Sequence, residues 1–567
     1  MRVLIFHGYL LAGTGSNVYN ARLAEALVRL GHQVHLFCQD RHPERQSFVD
    51  AAGDWDSGEL RVSVLGGLPE SGSPLCTAYR PNLGGLLPVY VQDRYEGIVA
   101  KTFAQCSETE VSAYVQANVD AVREVAELVR PDVALANHLV MGPVILARAL
   151  DGQTPYAVKV HGSALEYTVK PEPERFLPFA REGLAQARTV LVGSNHTAVS
   201  LWEALGEPVL HRRTHLGPPG VDVERFVPLR PGEAEVRIRG LIERLRGSPS
   251  ASAGEGESAF ARDERETADA LERVADGLPA VARSTGRAAW GTGSQAGPPA
   301  AFEAGPLVAF VGKLIVNKGV DLLIAAWPLV LRSVPDARLA VIGFGAYREG
   351  LERLIARLAD GDLEGVREIA RAGRALEARE GAVEGAQVAG EDLPLMHLLA
   401  FLDSLSEDEA ESYRLTACKA AERILLTGRL DHDELADVLP ACEALVVPST
   451  FPEAFGMVAV EAAACGVLPI SAGHSGLAEV SAVLAEEIPS QAAAWLSFPV
   501  DDNAVRAIAE RVVQWLQADA GLKEQTRAAL VAVARERWSW EGVGRGVIAA
   551  ALGAPNGLER DTDASAR

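Results

Sequence analysis

Short apolar runs recur along the first 230 residues, and each is followed by glycine or polar residues and then by a helical period. The runs are almost continuously apolar rather than alternating, which predicts parallel strands covered on both faces. Helical stretches such as residues 17–31 and 111–129 lie between them, as in βαβ units. The predicted strands are RVLIFHG (2–8), QVHLFCQ (33–39), DVALANH (132–138), YAVKVHG (156–162) and TVLVGSN (189–195).

A second series of such runs begins at residue 307, after an interruption. Residues 231–304 carry charged helical segments and end in a stretch rich in Gly, Ala, Ser and Pro, which predicts a linker or mobile insertion. These segments contain too little Leu, Ile or Val to form a core of their own, so we expect them either to lie on a neighbouring domain or to stay mobile. We therefore expect a short Gly/Ser linker in place of 248–303 to leave folding and donor-sugar hydrolysis within a few-fold of wild type. The second series predicts the strands LVAFVGK (307–313), ARLAVIGFG (337–345), RILLTGRL (423–430), ALVVPS (444–449) and VLPISA (467–472).

Between the second and third of these strands, roughly residues 360–421 show a charged, Ala-rich helical pattern, far longer than one crossover helix requires. The predicted fold class is therefore α/β, with two doubly wound Rossmann-like domains facing a central cleft and two helical or disordered insertions. The predicted divisions are an N-terminal domain (1–230), an insertion or linker (231–305), a C-terminal domain (306–537) with a helical insertion at about 360–421, a helix expected to pack toward the N-terminal domain (538–552), and a disordered tail (553–567).

Composition narrows the class of protein. The 567 residues suffice for three to four domains, and 48% hydrophobic with 23% charged residues excludes a globally disordered or collagen-like chain. A net charge of −22 repels nucleic acid and anionic bilayers, so no nucleic-acid partner is expected. The six cysteines include no CxxC pair, which argues against a disulfide framework or a zinc site. Scattered cysteines fit a reducing compartment, so a cytoplasmic location is predicted, and no apolar run is long enough to span a membrane.

Residues that follow strands are the first candidates for chemistry, because ligands of open α/β sheets bind outside the carboxyl ends of the strands. Gly13 and Gly15 follow the first strand and permit close backbone approach to an anion, with Ser16 or Asn17 as a helix cap. A plain tight turn is the alternative. In the second domain Lys313 ends a strand and Lys318 opens a helix, so both ammonium groups could meet one diphosphate; two solvated lysines are the alternative.

Two carboxylates stand eight residues apart in STFPEAFGMVAVEAAACGVLPIS. Glu453 precedes a predicted helix, and Glu461 lies about two turns later in an otherwise apolar stretch. A carboxylate in such a stretch is costly unless it is bonded, and neighbouring sugar hydroxyls are a natural partner.

These motifs resemble those of the retaining glycosyltransferases of family 4, which have the GT-B fold, over residues 1–230 and 306–551. PEAFGMVAVEAAACGVLPI is similar to the family's motif of two Glu separated by seven residues. The resemblance implies a C-terminal nucleotide-sugar-binding domain and an N-terminal acceptor-side domain. It also implies that Glu453 binds donor-sugar hydroxyls, that the amides around Phe455, Gly456 and Met457 face the diphosphate, and that Glu461 holds the ribose.

Other motifs extend the resemblance. VGKLIVNKG is similar to the family's basic clamp, with Lys313 where Arg is usual and Lys318 matching. GTGSNVY, with Gly13 and Gly15, resembles the loop that closes over the diphosphate, and VKVHGSALEY places His161 where many members carry a histidine near the reacting sugar. The segment TGRL resembles the nucleobase loop, with Gly428, Arg429 and Leu430, and Glu479 in AGHSGLAEV is a weaker donor-site candidate.

The resemblance implies a hexosyltransferase that needs no cofactor. We also predict that no metal ion is needed, because fixed cations can replace one. The co-substrate would be a nucleoside diphosphate sugar of the UDP or GDP type. The acceptor would be a small molecule, a lipid-linked molecule or a polysaccharide, with His138 and His196 as acceptor-side candidates. Two alternatives stay open: a nucleotide-sugar epimerase or hydrolase of the same fold, and a non-catalytic two-domain sugar-binding protein. The sequence leaves the nucleotide, sugar, acceptor and oligomeric state undetermined.

Overall fold

Two large sheets organise the chain. The computed structural model describes residues 1–13, 15–65, 72–90, 99–230, 232–247, 262–278, 304–377 and 393–555. In chain order the strands are β1 Arg2–Phe6, β2 Gln33–Phe37, β3 Ala51–Asp56, β4 Glu59–Val64, β5 Cys76–Arg80, β6 Leu86–Val89, β7 Val99–Thr102, β8 Val133–Asn137, β9 Tyr156–Val160, β10 Thr189–Val192, β11 Thr214–Leu216, β12 Leu307–Lys313, β13 Arg338–Phe344, β14 Ile424–Gly428, β15 Ala444–Val447, β16 Leu468–Ala472 and β17 Ser497–Phe498.

Helices cover both faces of these sheets. In chain order they are α1 Gly15–Arg29, α2 Glu108–Val129, α3 Gly142–Leu150, α4 Pro173–Ala185, α5 Asn195–Leu205, α6 Val209–Arg213, α7 Glu233–Gly247, α8 Glu264–Asp276, α9 Val320–Ser333, α10 Arg348–Ala359, α11 Leu363–Ala372, α12 Met396–Asp403, α13 Glu407–Arg423, α14 His432–Val438, α15 Met457–Ala464, α16 Ser475–Glu487, α17 Ser490–Ala493, α18 Ala504–Leu516, α19 Ala520–Arg537 and α20 Trp540–Ala551. No helix within these described ranges is both long and apolar enough to cross a membrane.

The strand order confirms the predicted α/β class. The first sheet has the order β11-β10-β9-β8-β1-β2-β5-β3-β4 and is parallel except for the β3–β4 hairpin. The second sheet, β14-β13-β12-β15-β16-β17, is parallel throughout. It has the doubly wound order: successive strands are added on one side of β12 up to β14, and then on its other side from β15 onward, so the order reverses between β12 and β15. In the first sheet the corresponding switch lies between β1 and β8. Loops that leave these four strands are therefore placed to bind a ligand.

The strands that the apolar pattern misses lie mainly between residues 51 and 102. The β3–β4 hairpin forms the sheet edge, and most of β4 is exposed, so its sequence lacks a continuous apolar run. Its two-residue turn, Ser57 and Gly58, has positive φ at both positions, which fits the right-handed twist of a hairpin. The strands β6 and β7 form a separate small sheet.

The described part of the charged segment at 231–304 packs against the second domain. Helices α7 and α8 pack against each other, and α8 also packs on β14. Leu241 and Leu271 are fully buried in the same core as the second sheet. The Arg338 guanidinium donates to the carbonyl oxygen of Val274 at 3.0 Å. A linker in place of 248–303 would remove α8, so the structure argues against the expectation that this exchange leaves folding intact.

The other predicted divisions are placed as follows. Helices α11, α12 and α13 of the 360–421 segment contribute buried residues to the second core, for example Val366, Phe401 and Tyr413. Helix α20 packs on α1 and joins the first domain's core through Trp540 and Val547. The tail prediction falls almost wholly outside the described residues.

Candidate active site

A cavity of about 870 Å³ lies between the two domains, where strands of both sheets end. Most of the predicted site residues line it; Gly428, Glu479 and His196 do not. From the first domain these are Gly13, Gly15, His138 and His161, and from the second Lys313, Lys318, Arg429, Leu430, Glu453, Phe455, Gly456, Met457 and Glu461. The structure thus brings together residues that are up to 448 positions apart in the chain.

The glycine loop of the first domain faces the start of helix α15. A Cβ atom on Gly15 would lie 4.0 Å from the Met457 sulfur. Gly456 precedes α15 with a φ of +108°, and a Cβ there would lie 2.4 Å from a Leu477 methyl carbon, so only glycine fits. The backbone amides in the first turn of a helix such as α15 have no partner within the helix and attract an anion. The glycine loop of the first domain brings its own backbone close to the same part of the cavity.

Ser16 and Asn17 do not cap the first helix, because both lie inside α1. Asn17 instead ties the glycine loop to the first strand. Its side-chain nitrogen donates to the Ala12 carbonyl oxygen at 2.7 Å, and its Oδ1 accepts from His7 Nε2 at 3.0 Å.

The two lysines stand on either side of the loop that follows β12. Lys313 ends the strand, and Lys318 ends the short 3₁₀ turn Val316–Lys318, where its ammonium group pairs with the Glu453 carboxylate. A turn from the 360–421 segment holds this loop. The Val316 amide donates to Glu377 at 2.5 Å, and Arg374 donates to the Asn317 side chain.

Glu453 is an ionised carboxylate held in a fixed position. Burial acts to raise its pKa, but the charge and hydrogen bond of Lys318, together with the Ser449 hydroxyl, lower the pKa below its ordinary value. Ser449 donates to the carboxylate at 2.6 Å, and the Glu453 amide donates to the Ser475 hydroxyl at 2.9 Å. An anchored carboxylate of this kind can accept hydrogen bonds from sugar hydroxyls.

Glu461 has the opposite electrostatic state. It is 2% exposed, and burial raises its pKa to about 8 against the opposing charge of Arg22. Its carboxyl lies 3.5 Å from His432 Nε2, and burial, together with Arg22, lowers the pKa of that imidazole to about 3. At neutral pH the pair is therefore mostly uncharged. Hydroxyl groups that donate to the Glu461 carboxylate would favour its ionised form.

His161 is fixed by its neighbours and is neutral. Its Nε2 donates to Asn137 Oδ1 at 2.8 Å, and burial lowers its pKa well below the ordinary value. Lys159 lies on the same face of β9, two residues earlier, and also lines the cavity. Lys159 donates to the Gly217 carbonyl oxygen at 2.6 Å, and burial lowers its pKa to about 7.

The segment predicted as the nucleobase loop leaves β14. Arg429 and Leu430 line the cavity, whereas Gly428 faces α8, since a Cβ there would lie 3.0 Å from the Thr267 hydroxyl oxygen. Arg262, just before α8, also holds this loop, because its guanidinium donates to the Arg429 carbonyl oxygen at 3.3 Å and to Glu434.

Sequence reasoning missed the residues that position the predicted ones. Ser449 and Ser475 hold Glu453, Asn137 holds His161, and His432 faces Glu461. Lys159 carried a readable signal, a charged residue inside an apolar strand two positions before His161. The carboxylate of Glu479 does not line the cavity; it accepts from the amides of residues 195 and 196 in the first domain. The His196 side chain is exposed and lies outside the cavity lining.

Comparison with known protein families gives three matches. The family model described as "Glycosyl transferase 4-like domain" matches residues 14–220. Two models described as "Glycosyl transferases group 1" match residues 305–378 and 396–537. The matches cover most of both domains and stop on either side of residues 379–395, within the second predicted insertion.

Individual relatives are distant. A GDP-mannose-dependent monoacylated alpha-(1-6)-phosphatidylinositol monomannoside mannosyltransferase of Corynebacterium glutamicum is 23% identical over 245 residues, which is 42% of this chain and less than half, 45%, of that protein. Among solved structures, sucrose-phosphate synthase of Thermosynechococcus elongatus has a TM-score of 0.52 at 17% identity and covers 96% of each chain. Anabaena Alr3699/HepE, solved with UDP and glucose, has a TM-score of 0.50 at 15% identity over 98% of this chain and 100% of that one.

The structures share the two-domain fold, and the family matches fall on the two domains that form the cavity. The chain therefore belongs to the GT-B glycosyltransferases of the family-4 type.

Proposed function

We propose that the protein is a retaining hexosyltransferase that moves a sugar from a nucleoside diphosphate donor to a hydroxyl group of an acceptor. The observation that carries this proposal is the Lys318–Glu453 pair, which lines a cleft together with the glycine loop and the start of α15. One member of the pair suits a phosphate and the other suits sugar hydroxyls.

The charge of the cleft fits the leaving group. As the donor bond breaks, negative charge grows on the β-phosphate, and positive groups held in place stabilise it. Lys318, Lys313 and the amides at the start of α15 supply those groups from the protein itself. We therefore propose that turnover needs no metal ion and no cofactor.

Retention follows from attack on the face from which the phosphate departs. The acceptor oxygen forms a bond to the anomeric carbon, the bond from that carbon to the β-phosphate oxygen breaks, and the phosphate takes the acceptor proton. Glu453, held by Lys318 and Ser449, binds the sugar hydroxyls rather than the anomeric carbon in this scheme.

We propose a donor of the UDP or GDP type, with Glu461 at the ribose. The Corynebacterium relative is named as GDP-mannose-dependent and the Anabaena structure contains UDP, so both nucleotides need testing. The acceptor would be a small molecule, a lipid-linked molecule or a polysaccharide; the Corynebacterium relative is named for a lipid-linked one. Six free cysteines are compatible with work in a reducing cytoplasm.

A thermal-shift panel of UDP, GDP and ADP, each alone and as its glucose or mannose conjugate, tests the proposal. A ligand at 100 times its dissociation constant stabilises the folded protein by about 2.7 kcal/mol, which is easily measured. The donor that gives the largest shift should then be turned over in EDTA as fast as in Mg²⁺, and NMR of the glycoside should show the donor's anomeric configuration. A panel without any shift would contradict the proposal. Epimer or free sugar as the main product in the presence of acceptor would indicate an epimerase or hydrolase instead.

A further inference from the structure

The 3₁₀ turn Val316–Lys318, which carries the lysine assigned to the phosphate, is held by hydrogen bonds rather than by a core. None of its three residues is buried. A segment with few buried contacts opens easily unless other bonds fix it. On one side these bonds come from the loop after β15, where the Thr450 amide and hydroxyl donate to the Asn317 carbonyl oxygen at 2.9 and 3.3 Å.

On the other side the bonds come from the 360–421 segment. The Glu377 carboxylate accepts from the Val316 amide at 2.5 Å, and the Arg374 guanidinium donates to the side-chain oxygen of Asn317. Hydrogen bonds that involve an ionised group are shorter and stronger than those between neutral groups. Each of the two residues before Lys318 is therefore held by a charged side chain of this segment.

The Gly373–Glu377 turn that carries these two side chains is itself fixed. Its Leu376 is buried, and a Cβ atom on Gly350 of α10 would lie 3.2 Å from the Leu376 Cβ. Gly373 has a φ of +53°, and a Cβ there would lie 2.0 Å from the Leu393 carbonyl oxygen, so only glycine fits. The turn thus packs closely on α10 and on the residues before α12, and it can hold the lysine loop in one place.

The guanidinium of Arg374 also lies within electrostatic range of the cleft. Tyr167 of the first domain lines the cavity. Burial and the charge of Glu453 raise the pKa of its hydroxyl group, and the charge of Arg374 opposes them. Among the described residues, the cavity lining includes Lys318 but neither Arg374 nor Glu377. The two side chains therefore reach a ligand in the cavity through the loop that carries Lys318.

We propose that Arg374 and Glu377 are positioning residues that hold Lys318 at the donor diphosphate, so that the 360–421 segment is a working part of the donor site. A shift of about 1 Å in a group that meets the reacting atoms can cost about 10²-fold in rate, even when the change that causes it is remote. This inference rests on the proposed function, because it takes Lys318 to bind the diphosphate.

The test uses the full chain and compares a nucleoside diphosphate with its monophosphate: UDP with UMP, GDP with GMP or ADP with AMP, according to the thermal-shift panel. Arg374→Met keeps the aliphatic stem and removes the guanidinium. It should lower kcat/KM for donor hydrolysis by about 10- to 100-fold. By calorimetry it should weaken the diphosphate by about threefold or more and the monophosphate by no more than about twofold, because only the diphosphate reaches Lys318 in this scheme. A general loss of structure would weaken both nucleotides equally.

Three further variants make the result decisive. Glu377→Gln keeps an oxygen that accepts from the Val316 amide, so it should retain more kcat/KM than Glu377→Ala. Asn317→Ala removes the acceptor of Arg374 and should reproduce the loss in Arg374→Met, which also serves if the latter does not fold. Arg371→Ala is the matched control: this exposed residue of α11 pairs with Glu364, and its loss should leave the kinetics at wild type.

A double variant shows whether Arg374 acts through Lys318. If it does, adding Arg374→Met to Lys318→Ala should cost little beyond Lys318→Ala alone. Independent, multiplying losses would overturn the inference, and so would wild-type kinetics in folded Arg374→Met and Glu377→Ala. A wild-type protein that binds no diphosphate better than its monophosphate would instead contradict the proposed function.

Discussion

The two glutamates of the cleft, Glu453 and Glu461, have different charge states because their surroundings differ. Lys318 and Glu453 neutralise each other. Glu461 contacts no Lys or Arg side chain in the part of the chain that the structure describes, and burial raises its pKa, so it takes up a proton more readily than an exposed glutamate. The two carboxyl groups therefore differ in charge: the ion pair keeps Glu453 ionised, and burial keeps Glu461 mostly protonated.

Lys318→Ala should lower turnover by about 10² to 10³, the size expected when one fixed charge-stabilising group is removed. The change also leaves Glu453 without its cation, so the loss should exceed that of Lys313→Ala. Steady-state kinetics with the panel-selected donor would measure both. Lys419→Ala, an exposed lysine on α13, is the matched control and should be silent. A wild-type rate in folded Lys318→Ala would exclude the assigned role.

Glu461 should make the free energy of unfolding depend on pH. Its pKa rises from 4.5 to about 8 on folding, so its contribution is fully present below about pH 4.5 and is lost as pH rises toward 8. Glu461→Gln should therefore gain stability relative to wild type across this window, as measured by urea unfolding at a series of pH values. Asp321, whose pKa burial raises to about 7, should leave part of the slope in the variant. Exposed Glu422→Gln should keep the whole slope, and a parallel profile for Glu461→Gln would refute the assignment.

At the residue scale, the sequence predicted which side chains lie after strands but not what holds them. Glu453, Glu461 and Lys318 stand in a local motif, so their spacing is readable. Their positioning partners come from distant segments, as when Asn137 holds His161 across two neighbouring strands. Such pairs depend on strand order, which one sequence does not state.

At the scale of elements, both added helical segments contact a loop on the cavity side of the second domain. Arg262, just before α8, supports the loop at Arg429, and Arg374, just after α11, supports the loop before Lys318. Their helical periods were readable in the sequence. For the first segment the sequence left packing on a neighbouring domain and mobility as alternatives. It did not decide between them, because few apolar residues are needed when the neighbouring sheet supplies most of the core.

Leu271→Ala on α8 should lower the free energy of unfolding by about 2–5 kcal/mol, because it opens a cavity in a fully buried position. Val236→Ala on α7 is the matched control; Val236 is 72% exposed, and its truncation should change stability by about 0.5 kcal/mol or less. Urea unfolding gives both values. Equal, small effects would mean that α8 is dispensable and that the linker exchange is tolerated after all.

At the scale of the whole molecule, the domains touch around the cavity through small and specific contacts. Arg22 pairs with Asp433 at 2.5 Å, and the Tyr167 and Phe451 rings stack at 5.9 Å. Glu479 of α16 accepts from the amides of Asn195 at 2.7 Å and His196 at 2.9 Å, at the start of α5. A carboxylate at a helix start is a favourable pairing, so this contact holds the domains together.

Glu479→Gln should weaken this contact and shift the population toward more separated domains. Small-angle scattering without ligand should show a larger radius of gyration, and KM for the donor should rise several-fold with a smaller change in kcat. Glu486→Gln, an exposed position on the same helix, provides the comparison. An unchanged radius and KM would show that Glu479 carries no part of the domain arrangement.

The chain passes between the domains at two places that lie side by side. The Val221 amide donates to the Trp538 carbonyl oxygen at 2.7 Å, and Val221 pairs in parallel with Ser539. A Cβ on Gly220 would lie 2.7 Å from the Trp540 ring, so the two crossings are in tight contact. Two adjacent crossings act as a single hinge: one domain can rotate about this pair but cannot slide past the other. Any opening of the cleft is then widest at the edge farthest from the hinge, and an acceptor of the proposed reaction would enter from that side.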